Sequence, residues 1–148
     1  MENTYQIKRI ETDFEIQQCW EVALLLRPHL DENRWLLTIL EMMQNEKYHI
    51  AGIMDMGKCI AFAGYRFMTS LHSGDIIYID DLCTLESYRG KGLASELLSH
   101  VKSIAVAAGK DAVVLDTDFN NNTAQKVYLK NGFRLAAIHL WCDLDSFY

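Results

Sequence analysis

"IDDLCTLESYRGKGLASELL", Ile79 to Leu98, decides how the rest of the chain is read. It opens on a hydrophobic strand, passes through Arg89-Gly90-Lys91-Gly92, and enters an apolar-periodic helix at once. Glycine weakens the interiors of strands and helices alike, so two of them at this junction mark a turn. The first amides of a helix have no internal partner, and the helix dipole makes that end favourable for an anion. Glycines remove the Cβ atoms that would hold phosphate oxygens off the backbone, and Arg89 and Lys91 add positive charge. The turn reads either as a pyrophosphate cradle or as a plain strand-to-helix connection with glycine for geometry. No G-x-x-x-x-G-K-[ST] loop is present, and Ser95 stands where a dinucleotide fingerprint needs its third glycine.

Upstream of this stretch, Tyr5–Ile10 alternates like a strand. Thr12-Asp13-Phe14-Glu15 reads as a capping box, and Ile16, Cys19, Trp20 and Ala23 follow at helical spacing until Pro28 ends the helix. Asp31 can cap a second helix with Leu36, Ile39, Leu40 and Met43 on its stripe. Two apolar strands, Tyr48–Met54 and Cys59–Met68, are joined by the hairpin turn Asp55–Lys58, whose glycine suits a positive φ. Thr69–Gly74 is a polar loop, and Ile76–Thr84 a third strand of the meander. The helix after the glycine turn keeps its spacing through Ala94, Leu97, Leu98, Val101, Ile104, Ala105 and Ala108, with Gly109 as C-cap. Ala112–Leu115 is a short, wholly apolar strand of the kind that is often parallel. A short helix runs from Asn122 to Lys130, and Phe133–Leu144 is expected to be the last strand. The order β-α-α-β-β-β-α-β-α-β predicts one α+β domain over residues 1–148, with a single mixed, mostly antiparallel sheet of about six strands and helices on both faces.

Bulk properties exclude several classes. At 148 residues the chain fits one domain, and a chain of this size buries roughly two-thirds of its unfolded surface. A formal net charge of -6 argues against a nucleic-acid partner, which requires a basic stripe. The same acidity suits a cationic substrate, and it is also an ordinary solubility device. No apolar run reaches the roughly 18 residues of a membrane span, and the N-terminus lacks the apolar core of a signal peptide. Cys19, Cys59, Cys83 and Cys142 are far apart, which predicts reduced thiols in a cytoplasmic protein. The five scattered histidines suggest no metal site.

Arg89-Gly90-Lys91-Gly92-Leu93-Ala94 fits the R/Q-x-x-G-x-G/A signature of the GNAT superfamily of acyl-CoA N-acyltransferases, and "IDDLCTLESYRGKG" resembles that family's fourth strand and its entry into the pyrophosphate loop. Downstream, "NNTAQKVYLKNGF" resembles the family's N-x-x-A-x-x-F-Y-x-x-x-G-F helix through Asn121, Ala124, Tyr128, Gly132 and Phe133, with Val127 in place of the usual phenylalanine. The element order matches too, so the resemblance covers nearly the whole chain. It implies acetyl-CoA as donor, with its pantetheine arm bonded to backbone of Leu82, Cys83 and Thr84 between the strand ending near Thr84 and the strand Ala112–Leu115. The pyrophosphate would sit on amides of Arg89, Gly90, Lys91, Gly92, Leu93, Ala94 and Ser95. Asn121 and the helix after it, Ala124 included, would border the cofactor's other side.

An aliphatic amine has a pKa near 10.4 and is mostly protonated at neutral pH, so acyl transfer to nitrogen needs a proton acceptor and a donor for the leaving thiolate. Adjacent residues on a strand point to opposite faces. Asp80 then shares a face with Tyr78, Leu82 and Thr84, and Asp81 shares the more apolar face of Ile77, Ile79 and Cys83. Asp80 is the first candidate for the base, as the acidic pair of the family's polyamine acetyltransferases also implies. Asp81 is the alternative, because a bulge would swap the faces; either can instead cap nearby backbone. Tyr128 matches the family position that commonly protonates the thiolate, and a packed, hydrogen-bonded tyrosine is the alternative. Cys83 has no histidine partner in sequence and reads as inert core. His29 borders the expected acceptor site but reads as solvated, and Trp20, Trp35 and Trp141 read as core or interface. The expected activity is N-acetylation of a small primary amine by direct attack, a cationic or polyamine-like acceptor being favoured over a protein amine. A non-catalytic acyl-CoA-binding domain is the alternative of another class. The terminal segment His139–Leu144 is the expected contact of a possible homodimer.

Overall fold

The structure is a computed structural model describing residues 5–145. These fall into two compact units, the first ending at Leu115 and the second beginning at Asp116.

The first unit is built on a five-stranded sheet in the order β1-β2-β3-β4-β5. The strands are β1 (Gln6–Arg9), β2 (Tyr48–Asp55), β3 (Lys58–Ser70), β4 (Gly74–Thr84) and β5 (Ala112–Leu115). The first three pairings are antiparallel and β4 with β5 is parallel, as the wholly apolar composition of β5 predicts. The β2–β3 turn is the expected hairpin: Met56 and Gly57 both have positive φ, 51° and 81°, the twist that a two-residue loop requires.

The sequence expects one helix between Thr12 and Pro28. The structure has two, α1 (Asp13–Gln18) and α2 (Trp20–Leu26), because the buried Cys19 Sγ donates to Glu15 O at 3.5 Å and its amide bonds Ile16 O rather than the i−4 carbonyl. The capping box is present as read: Thr12 Oγ1 accepts from the Glu15 amide, and the Glu15 carboxylate accepts from the Thr12 amide. Lys8 pairs with that carboxylate, and its hydrogen bond, with those of the Thr12 and Glu11 amides, lowers the Glu15 pKa to about 2. Helix α3 (Glu32–Asn45) starts at the Asp31 cap. The Trp35 indole N–H donates to Ile16 O at 2.9 Å, which ties α3 to α1. Helix α4 (Leu93–Ala107) buries Leu93, Leu97, Leu98, Val101 and Ala105, the stripe read from the sequence. With Ile50, Ile53, Ile60, Phe62 and Ile77 of the sheet these form the core.

In the second unit the regular element is α5 (Asn122–Lys130). The expected sixth strand, Phe133–Leu144, is not formed among the described residues. Leu135, Ile138, Leu140 and Trp141 make the segment apolar enough to suggest one, yet all are exposed. A strand needs a ladder for its backbone groups, and among the described residues of its own unit the regular element is a helix, α5, which offers none. The element order is therefore β-α-α-α-β-β-β-α-β-α, and the mixed, mostly antiparallel α+β class stands.

Candidate active site at the free edge of β4

The glycine turn follows a 3-10 turn, Glu86–Tyr88. Tyr88 fixes it: its hydroxyl donates to Asp55 Oδ2 at 2.8 Å, and the Lys91 ammonium sits 5.0 Å from its ring centroid. Gly90 and Gly92 have φ of 79° and 78°, a region that L side chains adopt only at a cost. A Cβ built on either would have no protein atom within 4 Å, so the space beside both is open. Gly92 is the N-cap of α4 and gives it no side-chain cap. The Arg89 amide, expected to face an anion, instead donates to Glu86 O at 3.2 Å and closes the 3-10 turn. The row of amides that could meet a phosphate thus starts at Gly90. Neither Arg89 nor Lys91 forms an ion pair among the described residues.

Strand β4 pairs with β5 only from Ile76 to Ile79. Past that point Leu82, Cys83 and Thr84 pair with β3 through Ala63, Phe62 and Ala61, and the opposite edge of β4 has no ladder among the described residues. An extended chain with amide and carbonyl groups can add itself along such an edge. Burial raises the Cys83 thiol pKa well above its usual value, so this cysteine is core rather than nucleophile.

The two aspartates lie where β4 bulges. Gly64 opposes Asp81 and Tyr65 opposes Ile79, leaving Asp80 as the extra residue. This corrects the expectation that strand alternation separates them. A bulge interrupts the period of two, and both carboxylates touch the face that carries Tyr48 and Arg66. Asp80 receives both Arg66 Nε (2.8 Å, Oδ2) and Arg66 Nη2 (3.1 Å, Oδ1). Asp81 receives the Tyr48 hydroxyl on Oδ2 at 2.8 Å and Arg27 Nε and Nη2 on Oδ1 at 3.3 and 3.2 Å. Burial raises the Asp80 pKa from its ordinary value, and the Arg66 hydrogen bonds offset this only in part. Burial, then the Asp81 charge, pushes the Tyr48 phenol well up, so Tyr48 stays a proton donor to Asp81.

Tyr48, Gly64, Arg27 and Arg66 were not singled out by sequence reasoning. The one local signal is Gly64, an isolated glycine inside a long apolar strand, which marks a close approach. The approach is that of Tyr48, whose hydroxyl crosses the sheet above Gly64 to reach Asp81.

In the second unit Asn121 caps α5 by accepting the Ala124 amide at 3.1 Å, so the Asn-x-x-Ala spacing has a local structural use. Tyr128 is half-buried and packs edge-to-face on Phe133, with ring centroids 6.0 Å apart. Its carbonyl accepts from the Asn131 and Phe133 amides, which makes Gly132-Phe133 the close of the helix. Among the described residues no group of three or more His, Cys, Asp or Glu is placed to hold a metal, and no helix is long and apolar enough to cross a membrane.

Comparison with known proteins gives the family and the fold. The Acetyltransferase (GNAT) family matches residues 8–133. The yeast Saccharomyces cerevisiae D-amino-acid N-acetyltransferase HPA3 is 36% identical over 81 residues, 54% of this chain and 50% of that protein, so the chain spans half of that relative's length. The uncharacterized N-acetyltransferase YhdJ of Bacillus subtilis is 26% identical over 130 residues, 87% of this chain and 92% of that one. Among solved structures, the aminoglycoside N-acetyltransferase AAC(6')-Iy in complex with CoA superposes with a TM-score of 0.82 at 19% identity, covering 94% of this chain and 93% of that one. A glucosamine-6-phosphate N-acetyltransferase from Arabidopsis thaliana gives a TM-score of 0.76 at 18% identity, covering 97% and 100%. These structures share the fold. The match over residues 8–133 means that the chain belongs to the acetyltransferase (GNAT) family, the acetyl-CoA-dependent N-acyltransferases that its glycine turn resembles.

Proposed function

We propose that the protein transfers the acetyl group of acetyl-CoA to the primary amine of a small molecule by direct attack, without an acetyl-enzyme. The observation that carries this is the start of α4, where Gly92 supplies no side-chain cap and the space beside the amides of Gly90 and Gly92 is open. Those amides suit a pyrophosphate, with Arg89 and Lys91 adding charge. The free edge of β4 from Leu82 to Thr84 suits the amide groups of a pantetheine arm. The family resemblance assigns Asn121 and Ala124 to cofactor binding as well.

In the chemistry, the amine attacks the thioester carbonyl carbon, the new C–N bond forms, and the C–S bond breaks as the tetrahedral intermediate collapses. One proton leaves the nitrogen and one reaches the thiolate. Asp80 takes the first, directly or through water: its raised pKa brings it nearer neutrality, where a general base works best. Asp81, held by Tyr48 and Arg27, is the alternative. Tyr128 gives the second, since a phenol of pKa about 10 can protonate a thiolate. The names of the relatives, which act on D-amino acids and aminoglycosides, support a small-molecule acceptor over a protein one. The buried, unpaired Cys19, Cys59 and Cys83 suit a reducing compartment such as the cytoplasm, and the exposed Leu140, Trp141 and Leu144 suit contact with a second copy.

A second reading, an acyl-CoA-binding domain without turnover, draws support from the grip of Arg66 on both Asp80 oxygens. Mixing the protein with acetyl-CoA and a panel of amines, and following thiol release, separates them. Amine-dependent thiol supports the transferase. CoA binding with no amine-dependent thiol supports the binding domain.

A further inference from the structure

We infer that the acceptor carries a carboxylate beside its amine, and that Arg27 is the residue that holds it; this rests on the transferase reading above. The sequence pattern of paired aspartates in an acidic chain favours a cation. In the folded protein each aspartate has its own guanidinium: Arg66 on Asp80 and Arg27 on Asp81. Each carboxylate of the pair is thus matched by a guanidinium, which weakens its pull on a polyamine.

Arg27 differs from Arg66 in what it has left to give. Arg66 spends Nε and Nη2 on Asp80, and its Nη1 lies 4.0 Å from Glu46. Arg27 spends Nε and Nη2 on Asp81 Oδ1 and the Asp80 carbonyl, and its Nη1, with two N–H groups, has no partner among the described residues. Its side chain is 46% exposed. The guanidinium is therefore fixed on one edge and open on the other. A donor held in place costs little to order, which favours a charge-assisted bond to a carboxylate. Position supplies the rest. Because Arg27 bonds to the main chain of Asp80 itself, an anion on its Nη1 sits beside the acidic pair. The acceptor this fits has its amine and carboxylate close together, as in a free amino acid.

The test compares alanine and leucine, in both D and L forms, with the matched amides and with spermidine, by thiol release from acetyl-CoA. The expected result is kcat/KM at least tenfold higher for the acids than for their amides, through KM. In Arg27→Gln that preference falls to about one, and Arg27→Lys restores part of it. Amides or spermidine used as well as the acids, or a preference that survives Arg27→Gln, overturns the inference. If no amine releases thiol, the transferase reading falls on its own, and calorimetric titration of the same amino acids decides this one. Binding that weakens tenfold or more in Arg27→Gln supports it, and no binding, or equal binding by both proteins, overturns it.

Discussion

Gly64→Ala tests whether the β4 bulge and its acidic pair are built as described. A Cβ at this position would overlap the Tyr48 hydroxyl, lie 2.5 Å from Tyr48 Cζ and stand 3.0 Å from Asp81 Oδ2. The Tyr48 ring has no easy escape, since the residue is only 2% exposed. Two costs follow. Overfilling a packed site costs about 1–3 kcal/mol. Displacing the hydroxyl breaks its hydrogen bond to the Asp81 carboxylate, worth about 1.5–3 kcal/mol for a charged partner. Together they give a loss of about 2.5–6 kcal/mol, a large share of the roughly 5–15 kcal/mol that holds a native domain. At about 2–4 °C per kcal/mol for a chain of this size, the Tm should fall by roughly 5–24 °C. Thermal and urea melts of four proteins measure this: wild type, Gly64→Ala, Tyr48→Leu and the double variant. Leucine is too short to reach the new methyl, so Gly64→Ala should cost at least about 1 kcal/mol less in the Tyr48→Leu background. A Gly64→Ala protein within about 0.5 kcal/mol of wild type, or an equal cost in both backgrounds, would refute the reasoning.

Glu15→Gln should flatten the acid limb of stability. The Glu15 pKa falls from 4.5 unfolded to about 2 folded, so its contribution is complete above pH 4.5 and disappears as pH falls through about 2. The variant should lose roughly 1–2 kcal/mol at pH 7 and nothing near pH 2 in urea melts; a constant difference across pH would contradict this. Asp80→Asn should lower kcat/KM at neutral pH by roughly 10²–10⁴-fold and leave a rate that climbs only toward the pKa of the free amine. A pH profile like that of wild type would remove the base role from Asp80. Tyr128→Phe should reduce kcat on the order of 10²-fold while the Kd for CoA, read by calorimetry, stays within about twofold of wild type. Unchanged turnover would remove the acid role.

The glycine turn, the α4 stripe, the capping box and the β2–β3 hairpin were legible because each is local. Their signals lie within a few residues of one another, and backbone geometry follows from them directly. The acidic pair was legible as a pair but not in its orientation. Alternation separates Asp80 from Asp81, and the bulge that reunites them depends on Gly64 and Tyr48, which lie on other strands. The guanidinium partners are of the same kind. Arg27 is 54 residues from Asp81, and only the packing of α2 against β4 brings them together. Phe133–Leu144 shows the opposite failure: its composition suits a strand, but composition does not supply a neighbour to pair with. The break at Cys19 leaves no mark in the sequence, because the apolar spacing continues across it and the departure is in one buried side chain and its main-chain bonds.

Calorimetry with CoA and with pantetheine, on the wild-type protein and on Gly90→Val and Gly92→Val, tests the central claim most directly. Both substitutions put a branched side chain at a positive φ and fill the open space over the α4 amides. Wild type should bind CoA, pantetheine without the pyrophosphate should bind at least tenfold more weakly, and each valine should remove most of that difference. A wild-type protein that ignores CoA, or valine variants that bind CoA as wild type does, would contradict the claim.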